Sequence, residues 1–216
     1  MIIDCISDLH GFYPKLEGGD LLIVAGDLTK RDKPIEHEEF YLWLAEQDYD
    51  KKIVIAGNHD NFLVDHPDQF RLNEDGIEYL CDSGTEFEGL RIWGSPWTKT
   101  FEGMNPHCKA FTCDTEEELA EKWAMIPDDI DILITHSPPY GIFDSVRRFP
   151  QDIPENTGSK YLSDKFRGST TLKLHIFGHI HEHGGKSGDI GMTKFINCSH
   201  VNERYQPVNK PVRIVL

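Results

Sequence analysis

Nowhere does the sequence run for about eighteen apolar residues, so no transmembrane helix is expected. The opening residues, Met1-Ile2-Ile3-Asp4-Cys5-Ile6, lack a basic segment and a cleavage site, so no secretory leader is expected either. Cysteine is sparse. Cys5, Cys81, Cys108, Cys113 and Cys198 are scattered, odd in number and form no C-x-x-C pair. This argues against a disulfide framework and for reduced, mostly buried thiols in a cytoplasmic protein. Cys108 and Cys113 near His107 match no standard zinc module. Positive charge is also scarce, with 22 Lys and Arg against 37 Asp and Glu, a net charge of −15. That disfavours extended nucleic acid and anionic membranes as partners. A phosphate-bearing substrate would need local positive charge, which bound cations can supply.

What remains is a chain of 216 residues with 38% apolar side chains, enough for a sizeable core, and residues 1–216 read as a single domain. Strand-like apolar runs fall at 1–6, 20–25, 53–56, 76–80, 131–135, 172–177, 193–197 and 212–216. Alternation around Glu88-Gly89 predicts a hairpin over 85–93. Helical patterns predict helices at 34–47, 66–72 and 160–166, and one at 114–125 capped by Asp114 or Thr115. Residues 98–113 have no clear period and read as a loop. Strands and helices mix without strict alternation, which favours two stacked sheets with helices outside.

Five apolar runs empty into polar clusters: Asp8-Leu9-His10, Gly26-Asp27, Gly57-Asn58-His59-Asp60, His136-Ser137-Pro138-Pro139 and Gly178-His179-Ile180-His181. Loops at the carboxyl ends of strands are where open α/β sheets bind ligands. Asp8 and His10 are two apart, so a strand-like backbone would point both the same way. Gly57 would let the chain turn sharply. Singly, each cluster has an ordinary reading: Asp27 suits a turn or a helix cap, and His136 could bond to backbone. Together they offer about seven to eight nitrogen and oxygen donors, too many for one tetrahedral zinc and suited to two ions sharing a carboxylate. Two metals roughly 3.5–4 Å apart can hold a phosphoryl oxygen and generate hydroxide for in-line attack. No cysteine belongs to the set, which disfavours a structural zinc or an iron–sulfur cluster.

This ordered series resembles the calcineurin-like metallophosphoesterase superfamily from residue 8 to residue 181. The resemblance implies an α/β/β/α sandwich, two mixed sheets flanked by helices, with a dinuclear metal site at strand C-terminal ends. It implies that Asp8, His10, Asp27 and His181 hold one ion and that Asp27, Asn58, His136 and His179 hold the other, Asp27 bridging. Two divalent ions are implied, manganese favoured, with iron, zinc, nickel or magnesium as alternatives. His59 is then the catalytic group that stabilises the transition state or protonates the leaving oxygen, with Asp60 supporting it. Gly94-Ser95-Pro96-Trp97, the run Thr135 to Gly141 with Asp144, and the run Gly178 to Gly185 are similar to the small metallophosphoesterase-domain proteins. That implies phosphodiesterase activity. Gly26-Asp27-Leu28-Thr29-Lys30-Arg31-Asp32 lacks the arginine register of the serine/threonine phosphatases, which weighs against a phosphoprotein substrate. The expected activity is hydrolysis of small phosphate diesters such as nucleotides or cyclic nucleotides. A phosphomonoesterase, a nuclease and a nucleotide-binding regulatory protein with weak catalysis are the alternatives.

Substrate choice should come from the loops at 97–112 and 141–170. Arg147, Arg148, Lys160 and Arg167 form a basic cluster there. Arg147 and Arg148 are candidates for phosphate contact, with solvated surface as the ordinary reading. Trp97, Phe101, Tyr140 and Phe149 could stack on a base or pack their loops. His183 is a candidate to touch substrate or support a ligand. His37 and His66 are expected on the surface, and His175 packed or solvated within its strand.

Overall fold

Alternation within the apolar runs decides the architecture. In a strand, successive side chains face opposite ways, so a run apolar on both faces must be covered on both. The computed structural model describes residues 1–67, 76–101, 103–147 and 153–216. Among these, one sheet has the order β15-β1-β2-β3-β4. Strands β1 (Ile2–Ile6), β2 (Gly19–Ala25), β3 (Tyr49–Ile55) and β4 (Ile77–Tyr79) are parallel, and β15 (Val212–Val215) closes the edge antiparallel to β1. The second sheet has the order β13-β14-β12-β9-β6-β5. Its parallel strands are β6 (Leu90–Ser95), β9 (Ile132–Thr135), β12 (Leu174–Phe177) and β14 (Thr193–Asn197). Its antiparallel edges are β5 (Ser83–Phe87) and β13 (Lys186–Ile190).

Leu21, Ile23 and Ala25 of β2 and Ile53 and Ile55 of β3 face the second sheet and pack with Ile92, Ile132, Ile134, Leu174, Ile176 and Ile196. Their neighbours Leu22, Val24 and Val54 face outward against Phe40 and Leu44 of α1 (Pro34–Ala45) and Leu63 of α2 (Asn61–Asp65). Leu133 on the far face of the second sheet packs with Leu119 and Trp123 of α3 (Glu116–Ala124) and Leu162 of α4 (Lys160–Lys165). The layers are therefore helix, sheet, sheet, helix, as expected. Each fully buried aliphatic side chain contributes about 1.5–3 kcal/mol. Thr115 caps α3: its hydroxyl accepts from the Glu118 N–H while the Glu118 carboxylate accepts the Thr115 N–H.

Several local expectations need correction. A helix not expected from the sequence, Asn61–Asp65, directly follows the Asn58–Asp60 loop, and of the helix expected at 66–72 the described residues His66 and Pro67 are not helical. Pro67 disfavours a helical conformation at His66, so the helix stops at Asp65; residues 68–72 lie outside the described residues. Residues 98–113 include a short parallel ribbon, β7 (Thr98–Lys99) with β8 (Thr112–Cys113). A second ribbon pairs β10 (Ser145–Arg147) with β11 (Pro154–Asn156). His37 is buried rather than exposed: its Nε2 lies 2.8 Å from Asp32 Oδ1 and its ring stacks on Phe62. His175 is packed. No helix among the described residues is long and apolar enough to cross a membrane.

Candidate metal centre

Parallel strands point their carboxyl ends the same way, so the loops after β1, β2, β3, β9 and β12 meet at one edge of the sandwich. There they bring together Asp8, His10, Asp27, Asn58, His59, His136, His179 and His181. Asp8 and His10 do not share a face through extended backbone. Both adopt left-handed conformations, with φ of 51° and 45°, as do Asp27 (56°) and His179 (66°). Such a residue costs roughly 1–2 kcal/mol relative to the right-handed region, and strain of this kind concentrates at functional sites. Gly57 is not needed for a left-handed turn. A Cβ there would fall on the Asp27 carboxylate and the His136 ring, so glycine is required for space. Gly178 is required for the same reason, its Cβ position lying against Ser7 Oγ and the Asp8 carboxylate.

Asp27 lies at the centre. Its Oδ2 is 3.7 Å from His10 Nε2 and its Oδ1 is 3.3 Å from His136 Nε2, so one oxygen faces each side of the cluster. Ligand atoms of Asp8, His10, Asp27 and His181 lie within 4.8 Å of one another, close enough to share a cation. On the other side, His136 Nε2 is 3.2 Å from Asn58 Oδ1, and the His136 and His179 rings are 5.1 Å apart. Asp8 is oriented by the Ser199 hydroxyl, which donates to Oδ2 at 2.7 Å, and by the His179 N–H, shared between Oδ2 (3.0 Å) and Oδ1 (3.2 Å), while Oδ1 lies 3.1 Å from His181 Nε2.

The donor set fits metal ions. His10 Nε2 is buried with no hydrogen-bond partner among the described residues. His136 Nδ1 donates to the Ala25 carbonyl at 2.8 Å, so in the neutral ring the Nε2 lone pair faces two oxygens, an arrangement that only a proton or a cation reconciles. Burial disfavours charge on His136, but Asp27 and Asp8 outweigh it and push the ring up to about 9. Burial alone would raise the Asp8 and Asp27 carboxyls, yet the adjacent histidines hold both well below the usual range. Burial lowers His10 to about 4 and His179 to about 3, so both are neutral imidazoles with lone pairs to offer.

Asp60, expected to support the His59 ring, is fully buried, and among the described residues its hydrogen bonds go to backbone. Its Oδ2 accepts the N–H groups of Asp27 (2.9 Å) and Gly57 (2.7 Å), and its Oδ1 accepts Leu28 N–H (3.0 Å). It thereby ties the second and third loops together. Its reach to His59 is indirect, through Asp27, whose Oδ1 accepts the His59 N–H at 2.9 Å. Burial and the charge of Asp27 push Asp60 up to about 6.

The cluster opens into a cleft of about 800 Å³. Asp27, Asn58, His59, His179 and His181 line its floor, and Phe101, Tyr140, Arg147 and Lys160 line its walls. That volume suits a small organic ligand. Trp97 is packed instead, its Nε1–H donating to Asp82 and its ring under Lys122. Arg148 and Phe149 lie outside the described residues. Arg167 pairs with Asp164 in solvent. His183 is not among the cleft-lining residues; its Nε2 lies 2.8 Å from Ser145 Oγ and its Nδ1 3.1 Å from Lys186 Nζ.

Sequence reasoning missed two residues. The Tyr205 ring stands 4.8 Å from His10 and 5.2 Å from His181, centroid to centroid, on a left-handed residue (φ 55°). Asn202 fixes its turn by accepting the N–H groups of Arg204 and Gln206. Cys108 Sγ lies 3.4 Å from His59 Nδ1, with the thiol kept protonated by burial. Neither follows an apolar run, so no strand-end signal marks it.

A sequence profile described as calcineurin-like phosphoesterase matches residues 1–183. The human and mouse proteins named metallophosphoesterase domain-containing protein 1 are each 37% identical over an alignment of 237 residues, covering 98% of this chain and 70% of theirs. Among solved structures, phosphopantetheinyl hydrolase from Mycobacterium tuberculosis superposes with a TM-score of 0.58 at 16% identity, covering 94% of this chain and 90% of that one. The protein TT1561 of Thermus thermophilus gives a TM-score of 0.58 at 16% identity, covering 93% and 89%. At that identity both show a shared fold.

Proposed function

Because the chain belongs to the calcineurin-like phosphoesterase family and is a metal-dependent hydrolase of phosphoric esters, we propose that it cleaves small phosphate diesters, nucleotides or cyclic nucleotides among them. The observation that carries this reading is Asp27, with one oxygen toward each of two groups of nitrogen and oxygen donors. In this reading Asp8, His10, Asp27 and His181 hold one cation, and Asp27, Asn58, His136 and His179 the other. Manganese is the favoured ion, since the carboxylate and amide oxygens suit it and the set holds no thiolate to select a softer metal. When bound, the two ions neutralise phosphoryl charge and activate water.

The chain's own residues do the rest. His59 Nε2 lies 3.9 Å from Asp27 Oδ2 on the cleft floor, where a proton can pass to the departing oxygen. Arg147 and Lys160 on the walls supply the local positive charge that an acidic protein otherwise lacks. Phe101 and Tyr140 are 44% and 40% exposed there and offer apolar surface to the remainder of the ester. The cleft volume and the net charge of −15 favour a small ester over a polymer. Free cysteines throughout support a cytoplasmic location.

The test is hydrolysis of bis-p-nitrophenyl phosphate beside p-nitrophenyl phosphate with manganese. The diester should turn over faster, and EDTA should abolish both reactions. No turnover with manganese, iron, zinc, nickel or magnesium would refute the enzymatic assignment of these residues. Faster monoester cleavage would refute the diester preference.

A further inference from the structure

We propose that Cys108 is a positioning residue for His59, its sulfur fixing the orientation of the ring from the side away from the reacting phosphate. The inference rests on the proposed role of His59 as the group that protonates the leaving oxygen.

His59 Nε2 points toward Asp27 and the cleft floor, while Nδ1 points toward Cys108 Sγ at 3.4 Å. Among the described residues, the thiol is the one hydrogen-bonding partner of Nδ1. The partner of one imidazole nitrogen determines which nitrogen carries the proton. To protonate a leaving oxygen the ring starts as the imidazolium: its Nδ1–H donates to Cys108 Sγ, Nε2–H passes to the oxygen, and the neutral ring that remains keeps its proton on Nδ1, held by the sulfur. A ring free to rotate about its side-chain bonds would spend part of its time turned away, and catalysis falls steeply with such misplacement.

The thiol is itself held in place. The Cys108 carbonyl accepts the Asn58 Nδ2–H at 3.2 Å, and the Cys108 N–H donates to Asn105 O at 2.9 Å. On either side, Asn61 Nδ2–H donates to His107 O at 2.6 Å and Ala110 N–H donates to Asn58 O at 3.1 Å. Residues 105–110 thus grip residues 58–61 from outside. The backbone of Cys108 holds the Asn58 amide while its side chain holds His59. Only the second contact depends on residue type, so side-chain substitution isolates it.

The experiment compares wild type, Cys108→Ala, Cys108→Ser and His59→Ala, all loaded with manganese, on two diesters. One is bis-p-nitrophenyl phosphate and the other diphenyl phosphate, whose leaving group is more basic and depends more on proton donation. Cys108→Ala should lower kcat about 10-fold on diphenyl phosphate and only about 2-fold on the nitrophenyl diester. KM and metal content should be unchanged, and Cys108→Ser, which keeps an acceptor, should recover most of the rate. Wild-type kcat in Cys108→Ala, with His59→Ala slow, would overturn the inference and leave the role of His59 standing. Wild-type kcat in His59→Ala would overturn both. Equal losses on the two diesters together with lost metal would mean packing alone, and would overturn the inference. Nitrogen-15 NMR gives a readout besides activity: the His59 Nδ1 resonance should move in Cys108→Ala, and an unmoved resonance would likewise overturn the inference.

Discussion

His175 should make the fold acid-sensitive in a way that one substitution removes. The residue is fully buried in β12, with ring centroids of Phe177 and Phe195 at 5.2 and 5.6 Å. The Thr135 hydroxyl donates to Ser137 O at 2.6 Å, so at 2.9 Å it can only accept from His175 Nε2–H. The proton is therefore on Nε2, and Nδ1 is buried without a partner among the described residues. Protonating Nδ1 would place a charged donor against hydrocarbon, and burial accordingly lowers the ring from 6.5 to about 3. The sign follows from linkage: the unfolded chain takes up the proton first, so stability is full above pH 6.5 and is lost as pH falls toward 3. At pH 5 the unfolded ring is almost fully protonated and the folded one is not, which costs about 2 kcal/mol relative to pH 8. For a chain of this length that corresponds to roughly 4–8 °C in Tm. Urea melts of wild type and His175→Gln should be compared from pH 5 to 8, in EDTA so that metal linkage drops out. Glutamine keeps an N–H for Thr135 but does not titrate. The wild type should lose about 2 kcal/mol more than the variant between pH 8 and pH 5. Parallel profiles would refute the reasoning.

Asn58→Ala should lower the bound manganese from two ions toward one per chain by elemental analysis. His59→Ala should retain both ions and lose kcat. Asp60→Ala leaves the N–H groups of Asp27, Leu28 and Gly57 without their buried acceptor, so the manganese dissociation constant should rise at least about 10-fold by calorimetric titration. An unchanged isotherm would mean that the two loops keep their positions without it.

The layers and the eight clustered polar residues were legible because both follow from one pattern. Apolar runs such as Leu21–Ala25 and Ile53–Ala56 must be buried on two faces, and the chain can carry polar groups only where the runs stop. Conformation inside the loops was not legible. Asp8 and His10 look like extended residues two apart, yet left-handed backbone at both brings their side chains together, and only the surrounding packing selects it. His37 reads as polar surface among Glu36, Glu38 and Glu39, but at spacings of three and seven it shares a helix face with Phe40 and Leu44. Cys108 and Tyr205 sit in irregular segments held by contacts with residues far away in the chain, and no local period reports such contacts.

Three of the five loops belong to one sheet and two to the other, so the cluster straddles the seam between them. Along most of its length that seam is hydrocarbon, which attracts but has no preferred registration. At this end Ser7 N–H donates to Cys198 O at 2.9 Å and His200 N–H donates to Ser7 O at 2.7 Å, stitching the end of β1 to the residues after β14. A cation gripped by Asp27 from one sheet and His136 from the other would act as a rivet at the same corner. The spacing of the donors would then report how the two halves are phased against each other. A core substitution far from any donor could detune the site by letting one sheet slip across the other.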